Sequence, residues 1–279
     1  MVSRRQWLTA ATARLIEAGC EDAAFDARCL LEDFGGLPRG QAADDTPLTA
    51  EQTAVLEDVL AQRAAGRPLQ YILGEWDFLS LTLKVGEGVL IPRPDTELLC
   101  EVAAARLQGK TAPRVLDLCA GSGCVGLGVA SLCPSAVVTE VELSDVALGY
   151  LKQNVLRYSD YAVTIRQADV LTEFDRFDGP YDAILSNPPY IPTADLPSLQ
   201  REVQREPQMA LDGDVDGLKF YRTFAEHWCD KLAADGFIAV EVGIHQAEDV
   251  AALFAAQGLE NTAIYPDAAG IPRVVLAYK

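Results

Sequence analysis

Apolar positions recur every three or four residues at the start of the chain. Trp7, Leu8, Ala11, Leu15 and Ile16 form one stripe, and Ala23, Ala27, Leu30 and Leu31 form a second. That spacing predicts two helices within 3–32, parted near Gly19. A loop at Gly35-Gly36-Leu37-Pro38 follows, and Thr49-Ala50-Glu51-Gln52 opens a third helix carrying Leu56, Val59, Leu60 and Arg63. Residues 1–73 therefore read as a small all-helical domain. The apolar run at 78–85, the Gly86-Glu87-Gly88 turn and the run at 89–91 predict a β-hairpin linker. Pro92-Arg93-Pro94-Asp95-Thr96-Glu97 then leads into a helix that ends near Leu107.

Beyond residue 113 strands and helices alternate. Short strands are predicted at 115–118, 137–141, 163–165, 183–185 and 237–242, with closing strands near 261–265 and 273–278. Helices are predicted at 124–132, from the Ser144 cap to about residue 157, at 218–234 and at 246–257. The alternation implies an α/β fold, a mostly parallel seven-stranded sheet with helices on both faces. This second domain, with the hairpin, spans 74–279. Ligands of such a sheet bind beyond the carboxyl ends of its strands.

Composition narrows the setting. No apolar run approaches the roughly 18 residues that span a bilayer, and no h-region follows Arg4-Arg5, so neither a membrane span nor a signal peptide is expected. The seven cysteines are scattered without a C-x-x-C pair, which suits buried thiols of a cytoplasmic protein and gives no zinc site. His227 and His245 stand apart and read as structural. The formal charge is −18. Residues 1–73 carry 7 basic and 11 acidic side chains, the remainder 16 and 30, with no Lys/Arg block. Stable binding to nucleic acid is disfavoured, and a basic protein partner is compatible. Solubility alone also accounts for the charge.

Candidate chemistry lies at strand ends. The strand at 183–185 runs into Asn187-Pro188-Pro189-Tyr190. Two prolines stiffen the loop and keep it out of a helix. The Asn187 side-chain oxygen and the Pro188 carbonyl are placed to accept both hydrogens of a planar –NH2 group, with Tyr190 packing on its flat face and Pro189 holding the loop. A strand-ending turn is the plain alternative. The first strand of the sheet enters Asp117-Leu118-Cys119-Ala120-Gly121-Ser122-Gly123-Cys124-Val125-Gly126, a G-x-G-x-x-G loop between strand and helix. Glu142, after the second strand, can take both ribose hydroxyls, and Asp169, after the third, can shape an adenine pocket. These features fit any adenosine-bearing cofactor. Asp117 would repel a pyrophosphate and suits a tail bearing an amine, which favours S-adenosylmethionine over a nicotinamide dinucleotide. Three readings stay open on these residues: a methyltransferase acting on a side-chain amide, a DNA adenine N6-methyltransferase, and a non-catalytic adenosine-binding module or dehydrogenase.

Further segments carry a resemblance. Gly66-Arg67-Pro68-Leu69-Gln70-Tyr71-Ile72-Leu73-Gly74, Leu90-Ile91-Pro92-Arg93-Pro94-Asp95-Thr96-Glu97, Arg205-Glu206-Pro207, Ala210-Leu211-Asp212-Gly213 and Asp216-Gly217-Leu218 join the Asn-Pro-Pro-Tyr loop in a near full-length match. The chain resembles the HemK/PrmC family of class I, Rossmann-like, S-adenosylmethionine-dependent methyltransferases. Members modify the glutamine side-chain nitrogen (N5) in the Gly-Gly-Gln motif of class I peptide chain release factors. The resemblance implies a substrate-recognising N-terminal domain, S-adenosylmethionine as methyl donor with S-adenosylhomocysteine as product, and no metal. It implies catalytic roles for Asn187, Pro188, Pro189 and Tyr190. Cofactor binding falls to Asp117, Cys119, Ala120, Gly121, Ser122, Gly123, Glu142, Asp169, Val170 and Asn187. Cys119 and Ala120 depart from the family's usual Gly-Thr, and Glu142 from its usual Asp.

Overall fold

Ser3 and Gln6 cap each other at the first turn of α1 (Arg4–Glu17), and Thr49 and Gln52 do the same for α3 (Ala50–Ala64). Each reciprocal pair satisfies two backbone donors that a helix start leaves open. With α2 (Ala23–Phe34) and the short α4 (Leu69–Leu73), these helices bury Trp7, Leu15, Leu30, Leu31, Leu56 and Leu60. A computed structural model describes residues 1–279. The chain falls into two compact units, Met1–Glu75 with Gln200–Arg205, and Trp76–Leu199 with Glu206–Lys279. The sequence pattern places a boundary after Leu73; the contacts add a distant segment, Gln200–Arg205, to the helical unit. Buried Arg63 explains the addition. Its Nε donates to Asp26 on α2 at 2.6 Å and its Nη1 to Glu202 at 2.8 Å.

A hairpin follows, β1 (Glu75–Phe78) and β2 (Leu81–Lys84), all of it but Glu75 in the second unit. This differs from the expected hairpin, whose turn lay at 86–88. The turn sits at Leu79-Ser80, with Leu79 at φ 51°. The Glu97 carboxylate accepts the Leu79 N–H at 2.8 Å, so a helix 18 residues away sets the turn. Residues 85–92 form no strand; Val85, Val89 and Ile91 are buried as loop, and the Ile91 N–H donates to Glu206 at 3.0 Å.

Helix α5 (Pro94–Leu107) leads to the sheet. Its strands are β3 (Arg114–Leu118), β4 (Val137–Glu142), β5 (Ala162–Gln167), β6 (Tyr181–Ser186), β7 (Leu232–Glu241), β8 (Glu260–Pro266) and β9 (Pro272–Tyr278). Their order is β5-β4-β3-β6-β7-β9-β8. All pairs are parallel except those of β9 with β7 and β8. The expected mostly parallel seven-stranded sheet is therefore present. Helices α6 (Cys124–Leu132), α7 (Asp145–Arg157), α8 (Lys219–Thr223) and α9 (Ala247–Ala256) connect the strands. The helix expected at 218–234 stops at Lys231, its middle a π-turn over Phe224–Trp228. Pairing of Leu232 with Tyr181 draws the alanines that follow into β7, against their helical propensity.

Strand alternation supplies two cores. Leu116, Ile184, Ile238 and Val240 pack with Tyr221, Phe224 and Trp228 on one face. Val115, Ala183, Leu185, Phe237 and Ala239 pack with Leu99, Leu107, Val125 and Leu127 on the other. The sequence order reverses at β3, flanked by β4 and β6. Such a switch point opens a crevice at the carboxyl ends of the strands. No helix is long and apolar enough to cross a membrane.

Candidate active site

The loops leaving β3, β4, β5 and β6 meet at that crevice around a cavity of about 1000 Å³, its open mouth included. Cys119, Ala120, Gly121, Ser122, Glu142, Asp169, Val170, Asn187 and Pro189 line it. Gly123, Pro188, Tyr190 and Asp117 are not among the lining residues, although Pro188 and Tyr190 flank Asn187 and Pro189, which are.

The glycine loop is held from several sides. Gly121 (φ 58°) and Gly123 (φ 84°) take the left-handed conformation that glycine adopts without strain. A Cβ on Gly121 would meet only Val89 Cγ2, at 4.0 Å, so its backbone stands open to the cavity. Ala120 donates to the Val141 carbonyl at 3.0 Å, and Asn154 on α7 donates to the Ser122 carbonyl at 2.8 Å. Glu142 reaches forward from β4. Its Oε2 accepts the Gly121 N–H at 2.8 Å and its Oε1 the Ser144 N–H at 2.7 Å. A carboxylate has about four lone-pair sites, so each oxygen keeps capacity for a ligand hydroxyl. The methylene that Glu has beyond Asp is what spans to the loop.

Asp169 accepts the Leu171 N–H at 2.9 Å, and Trp228 donates to the Val170 carbonyl at 3.0 Å, which fixes the wall after β5. Asp117 is turned inward. Its Oδ2 accepts the Gly126 N–H at 3.0 Å, anchoring the start of α6. Burial pushes its carboxyl up to about 6, against the opposing effects of a contact with Glu140 and the Gly126 bond.

At the end of β6, Ser186 donates to the Leu118 carbonyl at 2.6 Å and so ties the Asn187 loop to the strand that carries the glycine loop. Asn187 Nδ2 donates to Thr96 Oγ1 on α5 at 3.0 Å. Thr96 in turn donates to Glu241 Oε2 at 2.6 Å, and the Tyr190 hydroxyl donates to Glu241 Oε1 at 3.3 Å. With Nδ2 turned inward, Asn187 Oδ1 has no partner within the chain and is the acceptor the residue offers the cavity.

The residues present fit S-adenosylmethionine. Glu142 and Asp169 offer carboxylate acceptors, the Gly121 backbone admits close approach, and Val89, Ile91, Ala168, Val170 and Leu171 give an apolar lining for a purine. The only cationic lining residue, Arg93, is paired with buried Glu206, so no free cation stands ready for a pyrophosphate.

Comparison with known proteins places the chain in a family. The family described as PrmC N-terminal domain matches residues 6–74, and the family described as Methyltransferase small domain matches residues 94–206. The release factor glutamine methyltransferase of Geobacter sulfurreducens is 41% identical over 264 residues, covering 94% of this chain and 91% of that protein. The chain belongs to the release factor glutamine methyltransferase family. The Moorella thermoacetica member is 37% identical over 99% of this chain and 98% of its own length. Among solved structures, the hMettl16 catalytic domain in complex with MAT2A 3′UTR hairpin 6 is 16% identical, with a TM-score of 0.61 and 92% of each chain covered. The 16S rRNA N2 G1207 methyltransferase of T. thermophilus, in complex with AdoMet and guanosine, is 19% identical with a TM-score of 0.52, covering 74% of this chain and 49% of that one. These two likenesses concern the fold.

The family's other segments form a brace around the Asn187 loop. Ile191 donates to Leu211 O at 2.9 Å and accepts from Gly213 N at 2.8 Å. Gln246 Nε2 donates to the Tyr190 carbonyl at 2.9 Å, while its Oε1 accepts the Gly243 N–H at 2.9 Å. A Cβ on Gly217 would stand 2.2 Å from Tyr190 O, so the backbones there touch directly. Glu206, of Arg205-Glu206-Pro207, holds both Arg93 and the Ile91 N–H. Thr96, Glu241, Gln246 and Glu206 were missed as site residues. One signal was present: the Glu241 carboxylate directly follows the apolar run Phe237–Val240, and charged residues are almost never fully buried unless paired. Cys119 has φ 62°, a conformation that strains a residue with a Cβ.

Proposed function

We propose that the chain transfers a methyl group from S-adenosylmethionine to the side-chain amide nitrogen, N5, of the glutamine in the Gly-Gly-Gln motif of peptide chain release factors, in the cytoplasm. The observation that carries this reading is the orientation of Asn187. Its amide N–H is spent on Thr96, and its oxygen is left as an acceptor beside a cavity suited to the methyl donor. Bound there, S-adenosylmethionine supplies an activated sulfonium methyl group.

An amide nitrogen is a weak nucleophile because its lone pair is delocalised. The protein's task is therefore alignment and charge placement. Asn187 Oδ1 and the Pro188 carbonyl accept the two hydrogens of the substrate –NH2 group, which fixes the nitrogen and raises its electron density. Pro189 and the brace hold the loop, and Tyr190 packs against the planar amide. No strong base is needed beforehand, because the proton becomes acidic only as the nitrogen is methylated. The backbone of Cys119, Ala120, Gly121, Ser122 and Gly123, with Glu142, Asp169 and Val170, holds the cofactor. Asp117 acts from behind the loop it anchors. Incubation with labelled S-adenosylmethionine and either release factor or duplex DNA tests the substrate class. Label enters the release factor; label in DNA alone overturns the reading.

The helical unit supplies contacts with the protein substrate. The acidic excess of residues 1–73, 11 against 7, suits a basic partner, and such complementarity acts mainly on association rate. Exposed Glu17 and Glu51 offer the test. Glu17→Lys with Glu51→Lys raises KM for intact release factor and leaves KM for a short Gly-Gly-Gln peptide unchanged. Equal changes for both substrates contradict the docking role.

A further inference from the structure

We infer that Thr96 and Glu241 are positioning residues that set the hydrogen-bond polarity of Asn187, so that the site presents an acceptor, and not a donor, to the substrate nitrogen. The inference rests on the proposed role of Asn187 and extends it to two residues deeper in the fold. Thr96 is 0% exposed and Glu241 2%, and they come from α5 and the end of β7, 145 residues apart. Register explains the meeting: Ser186 pairs with Val240, so Asn187 and Glu241 leave adjacent parallel strands side by side.

The argument is one of donors and acceptors. An ionised carboxylate only accepts, an amide NH2 only donates, and a hydroxyl does each. Facing ionised Glu241, the Thr96 and Tyr190 hydroxyls must both donate. Thr96 Oγ1 then has only lone pairs left for Asn187, and these select the amide's Nδ2. The order Asn187→Thr96→Glu241 fixes Oδ1 toward the cavity. A protonated Glu241 loses that direction. It can donate to Thr96, the Thr96 hydroxyl can turn to donate to Asn187, and the amide can rotate. Nδ2 would then face a substrate –NH2, donor against donor.

The surroundings place this change in an accessible range. Burial, the largest influence, pushes the Glu241 carboxyl up to about 7, opposed by the Thr96 and Tyr190 bonds and by Arg273, and assisted by Asp95. Arg273 on β9 is shared between Asp267 at 3.0 Å and Asp95 of α5 at 3.3 Å. The Tyr190 hydroxyl is raised by burial first and by Glu241 next, so it stays a donor. Tyr221 of α8 donates to the Glu241 backbone carbonyl at 2.8 Å, and burial keeps its hydroxyl protonated. Burial likewise raises the nearby Cys100 and Cys124 thiols, leaving them uncharged.

The sign follows. Glu241 is ionised above about 7, so turnover falls as pH drops through that value. For the full-length enzyme with saturating S-adenosylmethionine and release factor, kcat declines roughly tenfold per pH unit on this acid limb. In Glu241→Gln the carboxamide oxygen can still accept from Thr96 while its NH2 faces Tyr190. Part of kcat survives and the acid limb disappears. Thr96→Val removes the relay and lowers kcat while leaving affinity for S-adenosylmethionine unchanged; Thr96→Ser restores most of it. An unaltered acid limb in Glu241→Gln, or wild-type turnover in Thr96→Val, overturns the inference. If Glu241→Gln does not fold, the Thr96 pair decides alone. Asn187→Ala run alongside separates two failures. Wild-type turnover there removes the proposed role of Asn187 itself, whereas impaired Asn187→Ala with unimpaired Thr96→Val removes only the relay.

Discussion

Glu140 behind the glycine loop and Glu241 behind the Asn187 loop are buried equally well, at 0% and 2% exposure, and their surroundings differ. Glu241 holds a hydroxyl on each oxygen. Neither Glu140 oxygen receives a hydrogen bond of normal geometry, and the carboxyl faces that of Asp117. Helix α6 packs directly on it: a Cβ on Gly126 would stand 2.3 Å from Glu140 Oε1. Burial, with repulsion from Asp117, holds the Glu140 carboxyl well above the usual range. A satisfied buried acid can direct its neighbours, and an unsatisfied one mainly costs stability. In the proposed mechanism one wall of the cavity carries the chemistry, and the other positions the cofactor by backbone and Glu142.

Breaking the chemical wall has the largest effect. Asn187→Ala lowers the methyl-transfer rate between about tenfold and about a thousandfold, the range for losing one preorganised contact to a reacting group. S-adenosylmethionine affinity stays nearly intact, and single-turnover kinetics beside calorimetry separates the two quantities. Breaking the binding wall does the reverse. Glu142→Ala loses the acceptor that also holds Gly121 N–H and weakens cofactor binding by roughly 1.5–3 kcal/mol, the scale of charged hydrogen bonds. Unchanged affinity in calorimetry would return Glu142 to a purely structural role.

The comparison of buried acids sharpens in stability. Glu140→Gln keeps the shape and offers Asp117 an amide N–H, and it stabilises the fold by about 1–2 kcal/mol near neutral pH, within the range for relieving an unsatisfied buried group. The direction of the pH dependence is fixed by the raised acids. Asp117 at about 6 and Glu241 at about 7 hold protons in the folded state that the unfolded chain releases near about 4. Wild-type stability therefore declines as pH rises from about 4 through about 7. Glu140→Gln gains most at the upper end of that window. Denaturant unfolding at several pH values checks this, and a larger gain at the acid end contradicts it.

Local pattern made much of this legible. The period change near residue 113, the strand–glycine–helix passage into α6 and the Asn-Pro-Pro-Tyr loop after β6 each lie within a dozen residues. Boundaries decided at a distance were not readable. The apolar run at 78–85 looks like one strand, and the Glu97 carboxylate breaks it at Leu79. Residues 232–234 look helical, and pairing with β6 makes them strand. Gln200–Arg205 joins the helical unit because Arg63, far earlier in the chain, reaches Glu202. In the site, Asn187 and Glu142 were visible as types at strand ends. Thr96 gains its meaning only from Glu241, and that partnership exists only after the sheet has formed.

The most direct test of the account is tandem mass spectrometry of release factor treated with the enzyme and S-adenosylmethionine. The account predicts one methyl group on the side-chain nitrogen of the Gly-Gly-Gln glutamine with wild-type enzyme, and a strongly reduced yield with Asn187→Ala at equal cofactor occupancy. A methyl group on another residue, or equal yields from the two enzymes, would contradict it.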